Sequence, residues 1–271
     1  MSDPRPARSP LSTAEPWDLV SSGYAAEALK YFEVFARAAI RLAALPPAPR
    51  VADVAAGPGT ISVEIARAGG RASAIDLSEG MVLELRKRAE AAGVMKSIEV
   101  HLGDAQKLPF QSGLYDAAFS MFGLMFFPDR HAGLREMRRV LKPGGRGVIS
   151  SWVPFTGPFG ALMEIMRELI PSLPLGAKQT LSTPEEIVNE MTAAGFRDVR
   201  VETVEHAITQ PSFDAMWDSL QRTNAPLVYM QKRLGERWTA IAPTVRERVR
   251  ATVGDGEITI GRGAYVGVGL A

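Results

Sequence analysis

The chain lacks cysteine altogether and has only three histidines among its 271 residues. The absence of cysteine excludes disulfides, thiolate metal sites and cysteine nucleophiles. An excess of charge is also missing, because 31 Lys and Arg stand against 30 Asp and Glu. A nearly neutral chain is a poor partner for a polyanion, so we expect no nucleic-acid partner. The sequence shows neither a cluster of metal ligands nor a Ser-His-Asp arrangement, and no metal site is predicted.

Long hydrophobic runs are missing as well. The longest apolar stretch, AAFSMFGLMFF at 117–127, is far shorter than the ~20 residues that a membrane-spanning helix needs. The first sixteen residues contain four prolines and no apolar segment, which is unlike a secretory signal. We therefore expect no membrane span and a cytoplasmic location.

A glycine turn between a strand and a helix is the most informative feature that is present. Residues 51–60 read VADVAAGPGT, a short buried strand followed by a turn and a helix from about Thr60. Gly57 and Gly59 keep side chains away, so a ligand can lie against the backbone at the carboxyl end of the strand. Asp76 ends the next apolar run, where a carboxylate can accept hydrogen bonds from a ribose diol. The combination indicates a nucleoside cofactor.

The type of nucleoside depends on a third glycine. Dinucleotide enzymes place one three residues after the second, but Ser62 stands at that position. A nicotinamide-dependent oxidoreductase is therefore the less favoured alternative. Asp53, near the end of the first strand, is expected to order the turn rather than to contact the ligand.

Apolar runs alternate with helical segments between residues 50 and 152, which predicts an α/β fold with a parallel sheet covered on both faces. The predicted strands are 51–55, 71–76, 97–102, 115–121 and 145–152, with later strands at 196–208 and 257–271. A helix is predicted at 25–44, before the first strand. After the fifth strand, helices are predicted at 161–170, from Thr183 to Gly195, and at 212–223, 227–235 and 236–253.

Five motifs, in order along the same region, resemble those of class I S-adenosylmethionine-dependent methyltransferases. They are DVAAGPGT for the turn, AIDLSEGMV for the second strand, GDAQKLPF for the adenine loop, YDAAFSMFGLMFFPD after strand four, and REMRRVLKPGGRGVIS for strand five. Ala55 departs from the first glycine of many members. An alanine there is typical of the ubiquinone and menaquinone C-methyltransferase branch, so the departure indicates a subgroup.

The resemblance implies a doubly wound, mostly parallel, seven-stranded Rossmann-like sheet. It implies S-adenosyl-L-methionine as the cofactor and S-adenosyl-L-homocysteine as the product. On this reading residues 1–16 are a flexible N-terminus, 17–49 a helical lid and 50–152 the cofactor-binding core. Residues 153–271 add the remaining strands and a helical cap over the substrate.

The resemblance also implies a set of cofactor contacts. The turn would line the amino-acid part of the cofactor, Asp76 would take the ribose hydroxyls, and the third-strand loop would read the adenine. Met81 fits a core position equally well, and Asp104 fits a turn former. The full set is Ala55, Gly57, Pro58, Gly59, Asp76, Leu77, Met81, Asp104, Ala105 and Met121.

Aromatic and methionine side chains in the lid and the cap predict an apolar acceptor, since small-molecule pockets are mostly apolar. Many of these residues must be ordinary core. Those assigned to the acceptor are Tyr24, Trp152, Phe155 and Trp217.

The catalytic residue is unknown from the sequence. His101, His131 and His206 each fit a structural position better than a catalytic one. The predicted function is methyl transfer to a hydrophobic or aromatic small molecule by in-line displacement, with the methylated atom undetermined. Two alternatives stay open, a cofactor-binding relative without transferase activity and a protein substrate. A homodimer is also left open.

Overall fold

A single sheet organises the chain in the computed structural model, which describes residues 9–154, 157–169 and 181–271. Within those ranges the sheet has seven strands: β1 (Arg50–Val54), β2 (Arg71–Asp76), β3 (Ile98–Leu102), β4 (Tyr115–Met121), β5 (Leu141–Trp152), β6 (Arg197–Gln210) and β7 (Ile258–Leu270). Their order is β3-β2-β1-β4-β5-β7-β6. The strands β1 to β5 are parallel, and β7 runs antiparallel to both β5 and β6. The predicted doubly wound, mostly parallel sheet is confirmed.

Helices cover both faces of this sheet. They are α1 (Glu15–Gly23), α2 (Leu29–Ala43), α3 (Thr60–Arg67), α4 (Glu79–Ala91), α5 (Arg130–Val140), α6 (Gly157–Leu169), α7 (Pro184–Ala193), α8 (Phe213–Thr223), α9 (Ala225–Leu234) and α10 (Glu236–Val253). The helices α2, α3 and α4 pack on one face, and α5 and α7 on the other. Successive residues of β1 point to opposite faces, so Val51 joins the first cluster and Ala52 the second. Both are fully buried, which is why the strand reads as an unbroken apolar run.

The N-terminal helical segment is longer than the sequence predicts. It begins at Glu15 rather than at residue 25, with Pro16 in the first turn, and continues into α2 through one π-helical turn at Tyr24–Ala28. The indole Nε1 of Trp17 donates to the carbonyl of Leu11 at 2.9 Å, which fixes the chain ahead of α1. Residues 1–8 lie outside the described part.

A two-stranded ribbon extends the sheet beyond its carboxyl edge. The pairing of β5 with β7 ends at Trp152 and Ala264, whereas β6 and β7 stay paired to Gln210 and Ile258. The helices α8 to α10 connect the outer ends of the ribbon and pack with α6 around a separate apolar cluster. This cap therefore lies over the edge where β1, β2 and β4 end.

None of the helices in the described ranges is both long and apolar enough to cross a membrane. The same residues contain no group of three or more His, Cys, Asp or Glu side chains that could hold a metal ion.

Candidate functional site

A cavity of about 2110 Å³ opens at the carboxyl edge of the sheet. One side is formed by the loops that follow β1, β2 and β4, and the other by the lid, the ribbon and the cap. Open α/β sheets bind ligands at this edge, beside the point where the strand order reverses, here between β1 and β4. Pockets for a single small ligand are typically about 300–1,000 Å³, so this cavity has room for two molecules side by side.

The turn after β1 has left-handed backbone at three positions. Gly57 and Gly59 have φ of +54° and +79°, and Ala55 has φ of +55°. A Cβ at Gly59 would also lie 2.6 Å from Cγ of Leu85 in α4. For Ala55 the conformation costs about 1–2 kcal/mol, which explains why a glycine is common there. Because the glycines of this turn carry no side chain, a ligand can approach the backbone at the amino end of α3.

Ala55 is accommodated by a glycine on the neighbouring strand end. A Cβ at Gly123, which follows β4, would lie only 2.4 Å from Cβ of Ala55. The residue before it, Phe122, is also left-handed, with φ of +59°. Two non-glycine residues in this conformation thus lie at adjacent strand ends that border the cavity, as is common at ligand sites.

The carboxylate of Asp76 joins the turn to the next loop. One oxygen, Oδ2, accepts from the Gly57 backbone N–H at 2.7 Å, and Oδ1 accepts from that of Ser78 at 2.9 Å. Burial raises the pKa of Asp76, and these two hydrogen bonds oppose that effect. Each oxygen retains a further lone pair. Because Asp76 also lines the cavity, it can accept hydrogen bonds from a ligand diol.

Asp53, which the sequence predicts to order the turn, fixes the start of α3 directly after that turn, and it also lines the cavity. Its Oδ2 accepts from the backbone N–H of Ser62 at 3.0 Å and from the Ser62 hydroxyl at 2.6 Å. Ser62 is fully buried at the position where a dinucleotide fold would have its third glycine. The serine therefore serves as a partner for Asp53, and burial raises the pKa of Asp53 to about 7.

Replacing Asp53 with asparagine is expected to change the pH dependence of stability. An acid whose pKa is higher in the folded state than in the unfolded state binds its proton more tightly when folded. The stabilisation that protonated Asp53 gives the fold is therefore fully present below about pH 4 and is lost as the pH rises through 7. Asparagine can still accept a Ser62 hydrogen bond but carries no charge. At pH 8 the variant should be the more stable protein, by up to about 1.4 kcal/mol for each unit of pKa shift.

Urea unfolding of Asp53→Asn and of the native chain at pH 4.5, 6 and 8 measures this difference. The two free energies of unfolding should converge at low pH, whereas a constant gap across the range would contradict the raised pKa.

The cavity collects most of the residues that the sequence assigns to it. Asp104 is an exposed turn residue whose Oδ1 accepts from the Gln106 backbone at 2.9 Å, and Met81 packs with Val20 under the lid. The lining includes Ala55, Gly57, Pro58, Asp76, Leu77, Met81, Asp104, Ala105 and Met121 on the cofactor side and Tyr24 and Trp152 on the acceptor side.

Two of the assigned residues lie elsewhere, and a third is outside the described part of the chain. Gly59 is buried behind the turn against Leu85 and does not line the cavity. Trp217 is buried in the core of the cap, where its ring stacks on Phe213 with centroids 6.0 Å apart. Trp217 is not among the residues that line the cavity. Phe155 lies outside the described residues.

An aromatic wall closes the acceptor side of the cavity. The ring of Phe122 stacks on Trp152 at 4.0 Å, and both rings meet Phe32 and Phe35 of α2 edge-on. Tyr24 extends the wall, with its ring centroid 5.1 Å from that of Phe32. Such edge-to-face contacts each add about 0.5–1.5 kcal/mol beyond the burial of the rings. The wall is therefore a rigid, apolar surface beside the strained ends of β1 and β4.

Sequence reasoning missed two polar contributors. Asp18 of α1 accepts from the Ser78 hydroxyl at 2.5 Å and from the Gly80 N–H at 2.9 Å, which ties the lid to the loop after β2. No spacing rule identifies such a long-range contact. Arg262 of β7 lines the cavity, with its guanidinium 4.8 Å from the centre of the Trp152 ring. An arginine in an otherwise apolar strand, GRGAYVGVG, was the available signal.

Two of the three histidines pack against aromatic rings. His101 packs edge-on against Phe110 at 5.3 Å, and His206 against Phe35 at 6.1 Å. Neither these two nor His131 is among the described residues that line the cavity.

Comparisons with known proteins agree with this geometry. Residues 51–145 match the family model described as a methyltransferase domain. The demethylmenaquinone methyltransferase of Mycolicibacterium gilvum is 35% identical over 190 residues, which cover 62% of this chain and 79% of that protein.

Solved structures share the fold at low identity. A candidate methyltransferase from Bacillus halodurans has a TM-score of 0.59 at 20% identity, with coverage of 87% of this chain and 97% of that one. A protein described as a cyclase has a TM-score of 0.61 at 17% identity, with coverage of 95% and 97%. The fold alone thus accommodates other activities, and the family assignment rests on the sequence relatives. The chain belongs to the class I S-adenosylmethionine-dependent methyltransferases, in the menaquinone C-methyltransferase-like branch.

Proposed function

We propose that this methyltransferase acts on a hydrophobic, aromatic small molecule held against the wall of Phe122 and Trp152. The observation that carries the proposal is the position of this wall. Phe122 directly precedes Gly123, which touches Ala55, so the stacked rings begin where the glycine turn ends. An acceptor beside this wall is therefore adjacent to a cofactor lying on the turn.

The cofactor side is proposed to hold S-adenosylmethionine through backbone and carboxylate. Asp76 lines the cavity and would accept from the ribose diol with its remaining lone pairs. Gly57 leaves space for the ligand, because a Cβ there meets no atom within 4 Å. The buried side chains of Met81 and Ala105 offer apolar surface on either side of the loops that would enclose the adenine. Asp104 and Leu77 are exposed at the rim.

Bound S-adenosylmethionine supplies an electrophilic methyl group on a sulfonium, whose departure as a thioether needs no acid. The chain's own contribution is then to place the nucleophile in line and to exclude water. The aromatic wall contributes to both, because its four interlocked rings form a fixed, apolar boundary beside the turn. The lid contributes by closing the loop after β2 through Asp18.

The volume and chemistry of the remaining cavity favour an acceptor larger than a single ring. Beyond Trp152 the lining continues with apolar side chains of the cap and ribbon, namely Met163, Met216, Leu220, Met230, Leu234 and Ile260. Methionines adapt to irregular ligand shapes. The relative from Mycolicibacterium gilvum is a demethylmenaquinone methyltransferase, so a reduced naphthoquinone with an apolar side chain is the first acceptor to test.

An assay with methyl-labelled S-adenosylmethionine tests the acceptor class. We expect transfer to a prenylated naphthohydroquinone or to a comparable hydroxylated aromatic compound, and no transfer to glycine, to RNA or to a denatured protein mixture. Labelling of the polar or polymeric acceptors alone would contradict the proposal.

A variant of the wall gives a second measure. Trp152→Leu removes a ring stacked at 4.0 Å on Phe122, and we expect KM for the acceptor to rise about tenfold, or about 1.4 kcal/mol. Trp238→Leu is the matched control, since Trp238 packs on the cap core and does not line the cavity. An equal rise in KM for both variants would show that the effect arises from the cap as a whole.

A further inference from the structure

Arg262 places a positive charge inside the acceptor side of the cavity. It lies on the ribbon, two residues beyond the end of the β5–β7 pairing at Ala264. Its guanidinium lies 4.8 Å from the centre of the Trp152 ring, and the same Trp152 ring also stacks on Phe122. A guanidinium that packs on an aromatic face keeps its charge, and its planar fork matches planar, oxygen-bearing ligands. The charge is thus built into the surface proposed to hold the acceptor.

Tyr24 carries a hydroxyl that interacts electrostatically with the Arg262 guanidinium. It is the first residue of the π-helical turn, and such turns occur frequently at functional sites because they re-aim side chains. Tyr24 lines the cavity and contacts the aromatic wall through Phe32. Burial raises the pKa of Tyr24 despite the opposing influence of Arg262, so the hydroxyl stays protonated and can donate.

Other titratable groups surround this pair on several elements. His206 lies directly opposite Arg262 in the β6–β7 ladder, and side chains at opposed positions share a face. Asp76 faces Tyr24 from the cofactor side and raises its pKa further. On the cap side the cavity is lined by Glu164, Arg167, Tyr229 and Arg233. Burial lowers the pKa of Arg262 to about 10, which leaves it charged at neutral pH.

We propose that Arg262 and Tyr24 together bind the ionised oxygen of a hydroxylated aromatic acceptor. The inference rests on the function proposed above and specifies its substrate as a phenolate or the equivalent ionised quinol. A cation and a neutral donor suit a single oxyanion, and the apolar aromatic side chains beside them suit the ring that carries it. Arg262 is on this view a substrate-binding residue that favours the anion over the neutral hydroxyl.

This binding mode accounts for activation of the acceptor. The hydroxyl proton goes to water when the anion binds, and the electron pair then resides on the oxygen and on the conjugated ring carbons. Bond formation from the oxygen to the methyl carbon breaks the carbon–sulfur bond, whose electron pair stays on sulfur. If a ring carbon attacks instead, that carbon afterwards loses its proton to water and the ring regains its aromaticity. Either route balances without a side-chain base at the transfer step.

Spectroscopic titration of 2-naphthol tests the proposal on the protein saturated with S-adenosylhomocysteine. Naphthol and naphtholate differ in absorbance, so the pKa of the bound probe can be read directly between pH 7 and 9, where Arg262 is charged. We expect that pKa to fall by at least about one unit, equivalent to about tenfold tighter binding of the anion. Arg262→Met should abolish the shift, and Tyr24→Phe should reduce it.

Matched measurements separate the inference from the function on which it rests. Arg248→Met is the control and should leave the shift unchanged, since Arg248 is a half-exposed cap residue that is paired with Glu168. The neutral ether 2-methoxynaphthalene should bind equally to the native chain and to Arg262→Met, which shows that the cavity is intact. If the pKa of bound 2-naphthol still falls fully in Arg262→Met, and the ether still binds, then the role given to Arg262 is wrong while the aromatic acceptor stands. Failure of the native chain to bind either compound would overturn the aromatic acceptor, and the inference with it.

Discussion

Replacing Gly123 with alanine is expected to destabilise the fold by about 1–3 kcal/mol and to weaken binding of S-adenosylhomocysteine. The new Cβ would lie 2.4 Å from Cβ of Ala55, far inside van der Waals contact. Neither atom can move by a side-chain rotation, because a Cβ is fixed by its backbone. Relief must therefore come from a shift of the turn after β1, which is the surface proposed to hold the cofactor.

The double variant Ala55→Gly/Gly123→Ala provides the rescue. Ala55→Gly removes the opposing methyl and the left-handed strain of about 1–2 kcal/mol, but it increases the entropy of the unfolded chain. Alone it should change stability by less than about 1 kcal/mol. In the double variant most of the loss at Gly123 should be recovered, and the double-mutant cycle gives the interaction energy of the pair.

Gly256→Ala is a suitable control for the added methyl group, since a Cβ there meets no atom within 4 Å. Urea unfolding gives stability, and calorimetric titration with S-adenosylhomocysteine gives affinity. Additive losses in the double variant would show that Ala55 and Gly123 do not oppose each other and that the observed contact is not the cause.

The regular part of the fold was predictable because local patterns determine it. Each strand from β1 to β4 is a short apolar run with a helix or loop signal after it, and the structure places their ends within about two residues of the expected positions. The capping of α7 was legible for the same reason, since the Thr183 side chain accepts from the Glu186 backbone. These features depend on residues that are close in sequence.

The acceptor side was not predictable to the same extent, because it depends on contacts between distant residues. The many Met and aromatic residues of this segment led to the prediction that Trp217 lines the pocket. It is instead buried on the inner face of α8 against Phe213. Arg262 is distant from Trp152 in sequence, and only the pairing of β7 with β5 brings it above that ring. The π-turn at Tyr24 has no sequence signature, so the helix was predicted to start ten residues late.

The cofactor side lies between these extremes. The motif resemblance identified Asp76 and the glycine turn, but not that Asp76 bonds to Gly57 itself. That contact makes the carboxylate a structural element of the turn as well as a candidate ligand contact. Its removal should therefore have a larger effect on cofactor binding than the loss of one ligand hydrogen bond.

Asp76→Ala is accordingly expected to weaken S-adenosylhomocysteine binding by more than the ~1.5–3 kcal/mol that one hydrogen bond to a charged group contributes. Asp76→Asn should retain little of the lost affinity. The amide oxygen can accept from Gly57 or from Ser78 but not from both, and the amide NH₂ then faces the other backbone N–H donor. The isosteric variant thus separates hydrogen-bond polarity from side-chain size.

Asp116→Asn is the matched control. Asp116 also accepts from a backbone N–H, that of Arg50 at 2.8 Å, but it lies near the start of β4, at the opposite edge of the sheet. Calorimetric titration should give an unchanged affinity for Asp116→Asn and a loss for both Asp76 variants, with circular dichroism confirming that each is folded. S-adenosylhomocysteine should raise the Tm of the native chain whereas NAD should not. Native affinity in a folded Asp76→Ala would remove this carboxylate from the cofactor site, because no other change could then compensate for two lost backbone contacts and the ligand's hydrogen bonds together.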